Sequence, residues 1–318
     1  MSSGSDAAAA EPVTIRASGP LPSADAAEVL DLVREAADAD GVAPLSEHAV
    51  LSVRYGLDPR ARHVRLWEAG RLAGYGQLDP GDPAQVPSGE LVIRPSARRR
   101  GHGLALGRAL ADEAGPGELR VWAHGDLPAA TALAAAAGFH RSRALWQMSR
   151  SLAAPLAEPR LPAGVTVRTF QVAEDEDAWV AVNHRAFARH PEQGSWTRAE
   201  LELREREPWF DPEGFFLAQR DHGLAGFHWT KVHPGQGGSA AIGEVYVIGI
   251  DPAEQGSGLG RALTVIGLQY LRSKGLPAVM LYVDESNPAA IRLYESLGFA
   301  HSATDVMFSG DGSADRQA

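Results

Sequence analysis

The sequence predicts an α/β (α+β) protein of two domains that share one plan, each a sheet flanked by helices. Three observations predict it. The chain has 318 residues, about two domains at roughly 150 residues each. Short strings recur in the same order at a slowly growing offset: Val13-Thr14-Ile15-Arg16 with Val165-Thr166-Val167-Arg168, Leu72-Ala73-Gly74-Tyr75 with Leu224-Ala225-Gly226-Phe227, and Gly138-Phe139 with Gly298-Phe299. Each half also contains an apolar strand that runs into a glycine-rich loop and then a helix. Together these make a tandem duplication with loop insertions.

The elements follow from hydrophobic spacing. Each half opens with a short strand (13–17; 165–170) and a helical stretch (24–38; 175–189). A hairpin comes next (63–68 with 72–78; 215–220 with 224–231), then a long apolar strand (90–94; 244–250). After the loop, the second-half helix carries Leu259, Leu263, Ile266 and Tyr270 on one stripe, and Gly275 suits its end. A further strand (118–123; 278–283) leads to a last helix that ends at Gly-Phe, and the final strand is weak in both halves. Residues 151–164, SLAAPLAEPRLPAG, have three prolines and no sustained period, the composition of a linker. The domains are therefore expected at 13–150 and 165–310, with small, polar, disordered ends at 1–12 and 311–318.

Composition narrows the function. There is no Cys, which rules out disulfides, thiolate metal sites and a cysteine nucleophile. A formal charge of −10 argues against nucleic acid as the main partner. No apolar run reaches the ~18 residues of a membrane span, and the first residues lack the pattern of a secretory signal, so the expected setting is cytoplasmic. The eleven histidines show no metal spacing, and no metal is expected.

The richest stretch is Glu244-Val-Tyr-Val-Ile248-Gly249-Ile250-Asp-Pro-Ala-Glu-Gln255-Gly256-Ser257-Gly258-Leu259-Gly260-Arg261. A strand, a glycine loop and a helix N-terminus present free N–H groups to an anion, best a phosphate or pyrophosphate. Gly258 and Gly260 leave room for its approach. No Gly-Lys-Ser/Thr follows, and Arg261 breaks a dinucleotide fingerprint. The pattern recurs at Arg98-Arg99-Arg100-Gly101-His102-Gly103, whose arginines are either a solvated turn or charge partners for the anion.

Gln255-x-x-Gly258-x-Gly260 and Arg98-x-x-Gly101-x-Gly103 resemble the acyl-CoA pyrophosphate loop of the GNAT N-acetyltransferases, Q/R-x-x-G-x-G/A. Asn287-Pro-Ala-Ala-Ile-Arg292-Leu-Tyr294-Glu-Ser-Leu-Gly298-Phe299 resembles that family's second motif. The resemblance implies two GNAT-type domains, each with a mixed, largely antiparallel sheet, and acetyl-CoA as cosubstrate. It implies coenzyme contacts from Ile248, Gly249 and Ile250, from the loop Gln255–Arg261, and from Asn287 and Arg292. In the first half the corresponding residues are Leu91, Val92 and Ile93 with Arg98, Arg99, Arg100, Gly101, His102 and Gly103. Longer strings, among them His190-Pro191-Glu192-Gln193-Gly194, Gly226-Phe-His-Trp-Thr-Lys231 and Leu281-Tyr282-Val-Asp-Glu, resemble a tandem branch of the family. Its members acetylate the cysteinyl amine of the pseudodisaccharide Cys-GlcN-Ins. The branch implies acceptor contacts from Glu47, Glu192, Lys231, Glu244 and Tyr282, which puts the acceptor between the domains.

Amide formation from a thioester needs a free amine, and a carboxylate can take its proton. Glu244 begins the strand, and period two puts it on one face with Tyr246 and Ile248. By its residues alone it is a base or a solvated strand end; the resemblance selects the base. The leaving thiolate needs a nearby O–H. Tyr294 lies two turns beyond Asn287, which reads as an N-cap before Pro288, on a face shared with Ile291 and Gly298. It is either a core tyrosine or the acid, and the resemblance selects the acid. Counting from the shared motifs, the first half has Pro87 and Ala134 at these places, so it is expected to bind CoA without catalysing, with Glu90 as the one carboxylate near. The expected function is direct acetyl transfer in a ternary complex by a monomer. The competing functions are acetylation of another small amine or peptide N-terminus, and acyl-CoA sensing without catalysis.

Overall fold

The computed structural model describes residues 13–81, 85–188, 191–221, 223–235 and 240–311. The ends expected to be disordered, 1–12 and 312–318, and His190 of the acceptor motif lie outside the described residues. Asp311, counted with the tail, instead ends a strand.

The chain forms β1 (Val13–Ser18), α1 (Ser23–Asp40), α2 (Glu47–Tyr55), β2 (Arg62–Glu68), β3 (Arg71–Asp79), β4 (Ser88–Ile93), α3 (His102–Ala114), β5 (Glu118–Ala123), α4 (Pro128–Ala136) and β6 (His140–Ser151). It continues with β7 (Thr166–Thr169), α5 (Glu176–Ala186), α6 (Pro191–Gly194), α7 (Arg198–Glu205), β8 (Phe215–Arg220) and β9 (Gly223–His233). The last elements are β10 (Ile242–Ile250), α8 (Leu259–Ser273), β11 (Ala278–Asp284), α9 (Pro288–Ser296) and β12 (Ala300–Asp311). The expected strands and main helices are present within a few residues. Helices α2 and α7 are additions. Each starts at a hydroxyl cap: Ser46 Oγ accepts from the Ala49 N–H at 3.2 Å, and Thr197 forms a capping box with Glu200.

Among the described residues two compact units result, 13–144 with 304–311, and Leu145–Ala303. This corrects the expected domain limits, 13–150 and 165–310. In the first unit the strand order is β1-β2-β3-β4-β5-β12, and in the second β7-β8-β9-β10-β11-β6. The sixth strand of the first unit thus comes from the end of the chain: Val306–Asp311 pair with β5. That of the second comes from before the linker: Leu145–Ser151 pair with β11. Two similar, weakly patterned final strands carry no signal of which partner each takes.

Among the described residues every ladder within each unit but one is antiparallel; β4 with β5 and β10 with β11 are parallel, over three residue pairs each. The first unit packs α1 and α2 on one face of its sheet, around Val29, Leu32, Tyr75 and Val92. Its other face carries α3 on Leu66, Leu106 and Leu110. In the second unit one face holds an aromatic core, in which Phe215 stacks on Trp229 at 4.4 Å and Trp179 stands edge-on to both. Aromatic side chains bury ~150–250 Å² each and fix this face rigidly. The opposite face packs α8 and α9 on Val245, Leu268, Leu281 and Tyr294. The buried stripe of α8 includes Thr264, Leu268 and Leu271, so Ile266 and Tyr270 of the expected stripe sit at its margin.

Candidate active site

In the second unit the site forms where one strand leaves its neighbour. β10 pairs with β11 from Gly243 to Val245 and has no further parallel pair beyond. At the same point its register against β9 shifts: Val245 faces Thr230, but Val247 faces Trp229. Tyr246 is the extra residue of this β-bulge, which bends the strand. The edge of residues 246–250 that faces β11 is left without a ladder, so its backbone groups can serve a ligand. In the first unit the β4–β5 ladder likewise stops at Glu90, but β3–β4 has no bulge.

The bulge changes the expected faces. Glu244 and Tyr246 do share one, but Ile248 is turned to the other, against the cluster of Leu259 and Leu263. A period of two cannot cross an inserted residue. Glu244 is buried, and its cross-strand partner is Lys231. Its parallel partner is Met280, two residues from Tyr282, so Tyr282 shares the Glu244 face. Lys231 is also buried, its Nζ 4.2 Å from the ring centre of Trp209 and 4.9 Å from that of Tyr246. Tyr282 is exposed and accepts from Gln147 Nε2 at 3.4 Å. Glu192 belongs to α6, and its side chain lies outside the described residues. Glu47 opens α2 of the first unit.

One member of the group was missed from the sequence. His233 Nε2 lies 2.6 Å from Glu244 Oε2 and is half-buried at the end of β9. A carboxylate that is buried and a histidine that reaches solvent form a continuous path for a proton. His233 is two residues beyond Lys231 in a period-two strand, and that spacing was the available signal.

Tyr294 lies on the opposite face. Asn287 caps α9 through its Oδ1, 3.1 Å from the Ala290 N–H, with Pro288 at the first position, as the sequence implied. Tyr294 is buried among Val265, Leu281 and Phe299, and burial pushes its hydroxyl up to about 12. That hydroxyl makes no hydrogen bond among the described residues. Arg292 is exposed on the same helix.

The glycine loop enters α8 with Gly256 at φ 80° and Gly258 at φ 88°, a backbone that only glycine adopts freely. The N-cap residue Gly258 has no side chain to cap α8; the Leu259 N–H donates to Ser257 Oγ at 3.4 Å, and the remaining N–H groups of the first turn have no intrahelical acceptor. A Cβ at Gly260 would lie at ordinary contact distance from Ile250, whereas one at Gly249 would overlap the Phe227 ring, so packing requires glycine at 249 and not at 260. Arg261 donates to Ser296 Oγ at 2.6 Å. In the first unit Gly101 has φ 84°, while Gly103 accommodates Leu133. Arg98 makes a two-pronged bond to Asp40 at 2.7 Å, and Arg100 binds Glu68 at 2.8 Å. Of the three arginines, Arg99 alone has no carboxylate partner among the described residues.

A profile of the acetyltransferase (GNAT) family matches residues 178–299. A mycothiol acetyltransferase of Acidothermus cellulolyticus is 54% identical over 315 residues, covering 95% of this chain and 96% of its own. One of Thermobispora bispora is 57% identical over 285 residues, covering 89% and 95%.

The chain belongs to the mycothiol acetyltransferase family.

Its fold is that of tandem GNAT proteins. A GCN5-related N-acetyltransferase from Sphaerobacter thermophilus is 26% identical with a TM-score of 0.65, covering 94% of this chain and 96% of that one. A tandem GNAT protein from the clavulanic acid biosynthesis pathway superposes with a TM-score of 0.73 at 22% identity, covering 96% and 100%. The chain is an N-acetyltransferase, and enzymes of the GNAT family use acetyl-CoA. Among the described residues no helix is long and apolar enough to cross a membrane.

The first unit lacks the second unit's pair. From the shared Leu-Ala-Gly strings, the pair Lys231 and Glu244 corresponds to Asp79 and Ser88, so the counterpart of Glu244 is Ser88 and not Pro87. Glu90, two residues on, is buried and accepts the Ser46 N–H at 2.6 Å. Ala134 stands where the second unit has Tyr294.

Proposed function

We propose that the second unit moves acetyl from acetyl-CoA to the cysteinyl amine of Cys-GlcN-Ins, giving mycothiol and CoA by direct attack in a ternary complex. The observation that carries this is the placement of Glu244 with His233 on one face of the opened strand, and of Tyr294 on the other. The acceptor approaches from the Glu244 face. The thioester reaches the unladdered edge of Ile248, Gly249 and Ile250 from the side of α8.

The pyrophosphate of acetyl-CoA rests on the loop Gln255–Arg261, where N–H groups and the positive helix end favour an anion. Gln255, Gly256, Ser257, Gly258, Leu259, Gly260 and Arg261 form that cradle, with Asn287 and Arg292 at its rim. An α-amino group titrates near ~7.7–8.0, so a modest fraction is already neutral at neutral pH. Glu244 takes the proton as the N–C bond forms. His233 passes that proton to solvent, which returns the carboxylate for the next turnover. The C–S bond breaks, the thiolate takes a proton from Tyr294, which burial holds protonated at neutral pH, and the resulting phenolate regains a proton from solvent as CoA leaves. Lys231, Tyr282 and Glu192 hold the acceptor's hydroxyl and amine groups. The first unit, without a Glu244 or Tyr294, binds CoA at Leu91–Ile93 and Arg98–Gly103 and does not carry out this transfer. We place the enzyme in the cytoplasm as a monomer.

Incubation of the purified chain with acetyl-CoA and Cys-GlcN-Ins tests the proposal by mass spectrometry. The expected result is one acetyl added at the amine and one CoA released. A higher kcat/KM with an unrelated amine makes this a different acetyltransferase. CoA binding without turnover leaves a sensor.

A further inference from the structure

We infer that Arg204 and Trp209 are positioning residues for the acceptor: acting with Tyr246, they fix the Lys231 ammonium opposite Glu244. This deepens the proposal that Lys231 holds the acceptor, and rests on it. Neither residue belongs to the motifs that the sequence singles out.

Arg204 is 1% exposed on α7, and a guanidinium keeps its charge when buried. Buried charges ordinarily take a partner of opposite sign. Arg204 has no carboxylate partner among the described residues. Glu200, one turn earlier, engages its own carboxylate in the Thr197 cap and offers Arg204 only its carbonyl, 2.9 Å from Nη1. The guanidinium instead lies 3.7 Å from the ring centre of Trp196, whose π face offsets part of the lost hydration. Its Nε donates to the Tyr246 hydroxyl at 3.0 Å. Among the described residues Tyr246 is therefore the one polar side chain that Arg204 holds.

Tyr246 needs such an anchor. It is the inserted residue of the β10 bulge, and the ladder with β9 leaves it unpaired. Trp209 and Trp229 meet its ring edge-on at 5.0 and 5.2 Å, and Arg204 fixes the hydroxyl end. Over the faces of Tyr246 and Trp209 lies Lys231 Nζ, at 4.9 and 4.2 Å from the ring centres. Lys231 stands directly across from Glu244 in the ladder. A lysine head on its flexible stem is mobile, but two aromatic faces restrict it, and their attraction is strongest where water is excluded. The ammonium is thus already placed beside the base to meet an oxygen of the acceptor, and less freedom is lost when the acceptor binds.

Steady-state kinetics with Cys-GlcN-Ins and acetyl-CoA test this in Arg204→Met, Tyr246→Phe, Trp209→Phe and Trp209→Leu, each alone and combined with Lys231→Met. Thermal melting checks that each variant folds. In Arg204→Met and Trp209→Leu the expected result is an acceptor KM raised about 10- to 30-fold, with kcat and the KM for acetyl-CoA little changed. Tyr246→Phe, which removes only the hydroxyl that Arg204 holds, is expected to raise the acceptor KM in the same direction by less. Trp209→Phe keeps an aromatic face and is expected to restore most of the acceptor affinity lost in Trp209→Leu. Combined with Lys231→Met, the same substitutions are expected to add little, because the ammonium they place is gone. Equal effects with and without Lys231, or a lower melting temperature with an unchanged acceptor KM, would make these packing residues and overturn the inference while the proposed function stands. No turnover of Cys-GlcN-Ins by the wild type overturns both.

Discussion

Replacing His233 probes the proton path most sharply. Its Nε2 shares a hydrogen bond of 2.6 Å with the Glu244 carboxylate, a bond to a charged group. Such bonds are worth about 1.5–3 kcal/mol. If the bond serves the transition state, its loss slows the reaction about 10- to 150-fold, at ~1.36 kcal/mol per decade. His233→Ala is therefore expected to lower kcat by about that factor, with the KM for acetyl-CoA little changed, because the phosphate loop lies with α8 on the other face of the sheet. Initial rates of CoA release across pH, with and without added imidazole, form the assay. Imidazole is expected to restore part of the rate, since a diffusible base can occupy the space and carry the proton. His233→Asn, which keeps a donor but cannot relay a proton, is expected to stay slow. Rates within threefold of wild type for His233→Ala across the pH range would refute the path. Full rescue by Asn would reduce His233 to holding the carboxylate.

Tyr294→Phe is expected to slow kcat about 10- to 100-fold at nearly unchanged thermal stability, because the hydroxyl has no hydrogen bond to lose and the ring keeps its contact with Phe299 at 5.9 Å; unchanged kcat would make it a core residue. Gly267→Ala is expected to lower the melting temperature, because the added methyl overlaps the buried His228 ring and outweighs the ~1 kcal/mol that Ala gains over Gly in a helix; an unchanged or raised melting temperature would contradict that packing. His228 is neutral, with Nδ1–H donating to Leu263 O at 2.7 Å, and burial lowers its pKa to about 4. Because the folded value lies below the unfolded one, its contribution is present above about pH 6.5 and is lost as the pH falls toward 4, about 3 kcal/mol in all. Urea midpoints of wild type and His228→Leu across that window should converge on acidification, and parallel curves would contradict the assignment.

Much of the fold was legible because its signals are local. Period-two runs gave the strands, and Gly258 before α8 and Asn287-Pro288 before α9 marked helix starts. Helices α2 and α7 carried their own hydroxyl caps at Ser46 and Thr197 and could have been found. The exchange of final strands could not, since it depends on which of two similar strands meets β5 or β11. The candidate site was legible only where its residues lie in motifs. Glu244 and Tyr294 stood out by position within motifs, while the bulge at Tyr246 turned Ile248 to the opposite face, and no local pattern announces an inserted residue. Arg98 and Arg100 read as either a solvated turn or anion partners until the fold brought Asp40 and Glu68 to them. The pairing of His233 with Glu244 needed the register of β9 on β10.

The measurement closest to the chemistry is the turnover of Glu244→Gln with Cys-GlcN-Ins, taken alongside acetyl-CoA affinity by direct titration. A buried carboxylate that accepts the amine proton predicts a fall in kcat/KM of about 10²–10⁴ with affinity for acetyl-CoA retained. Turnover equal to wild type in that variant would contradict the role given to Glu244, whatever the fold.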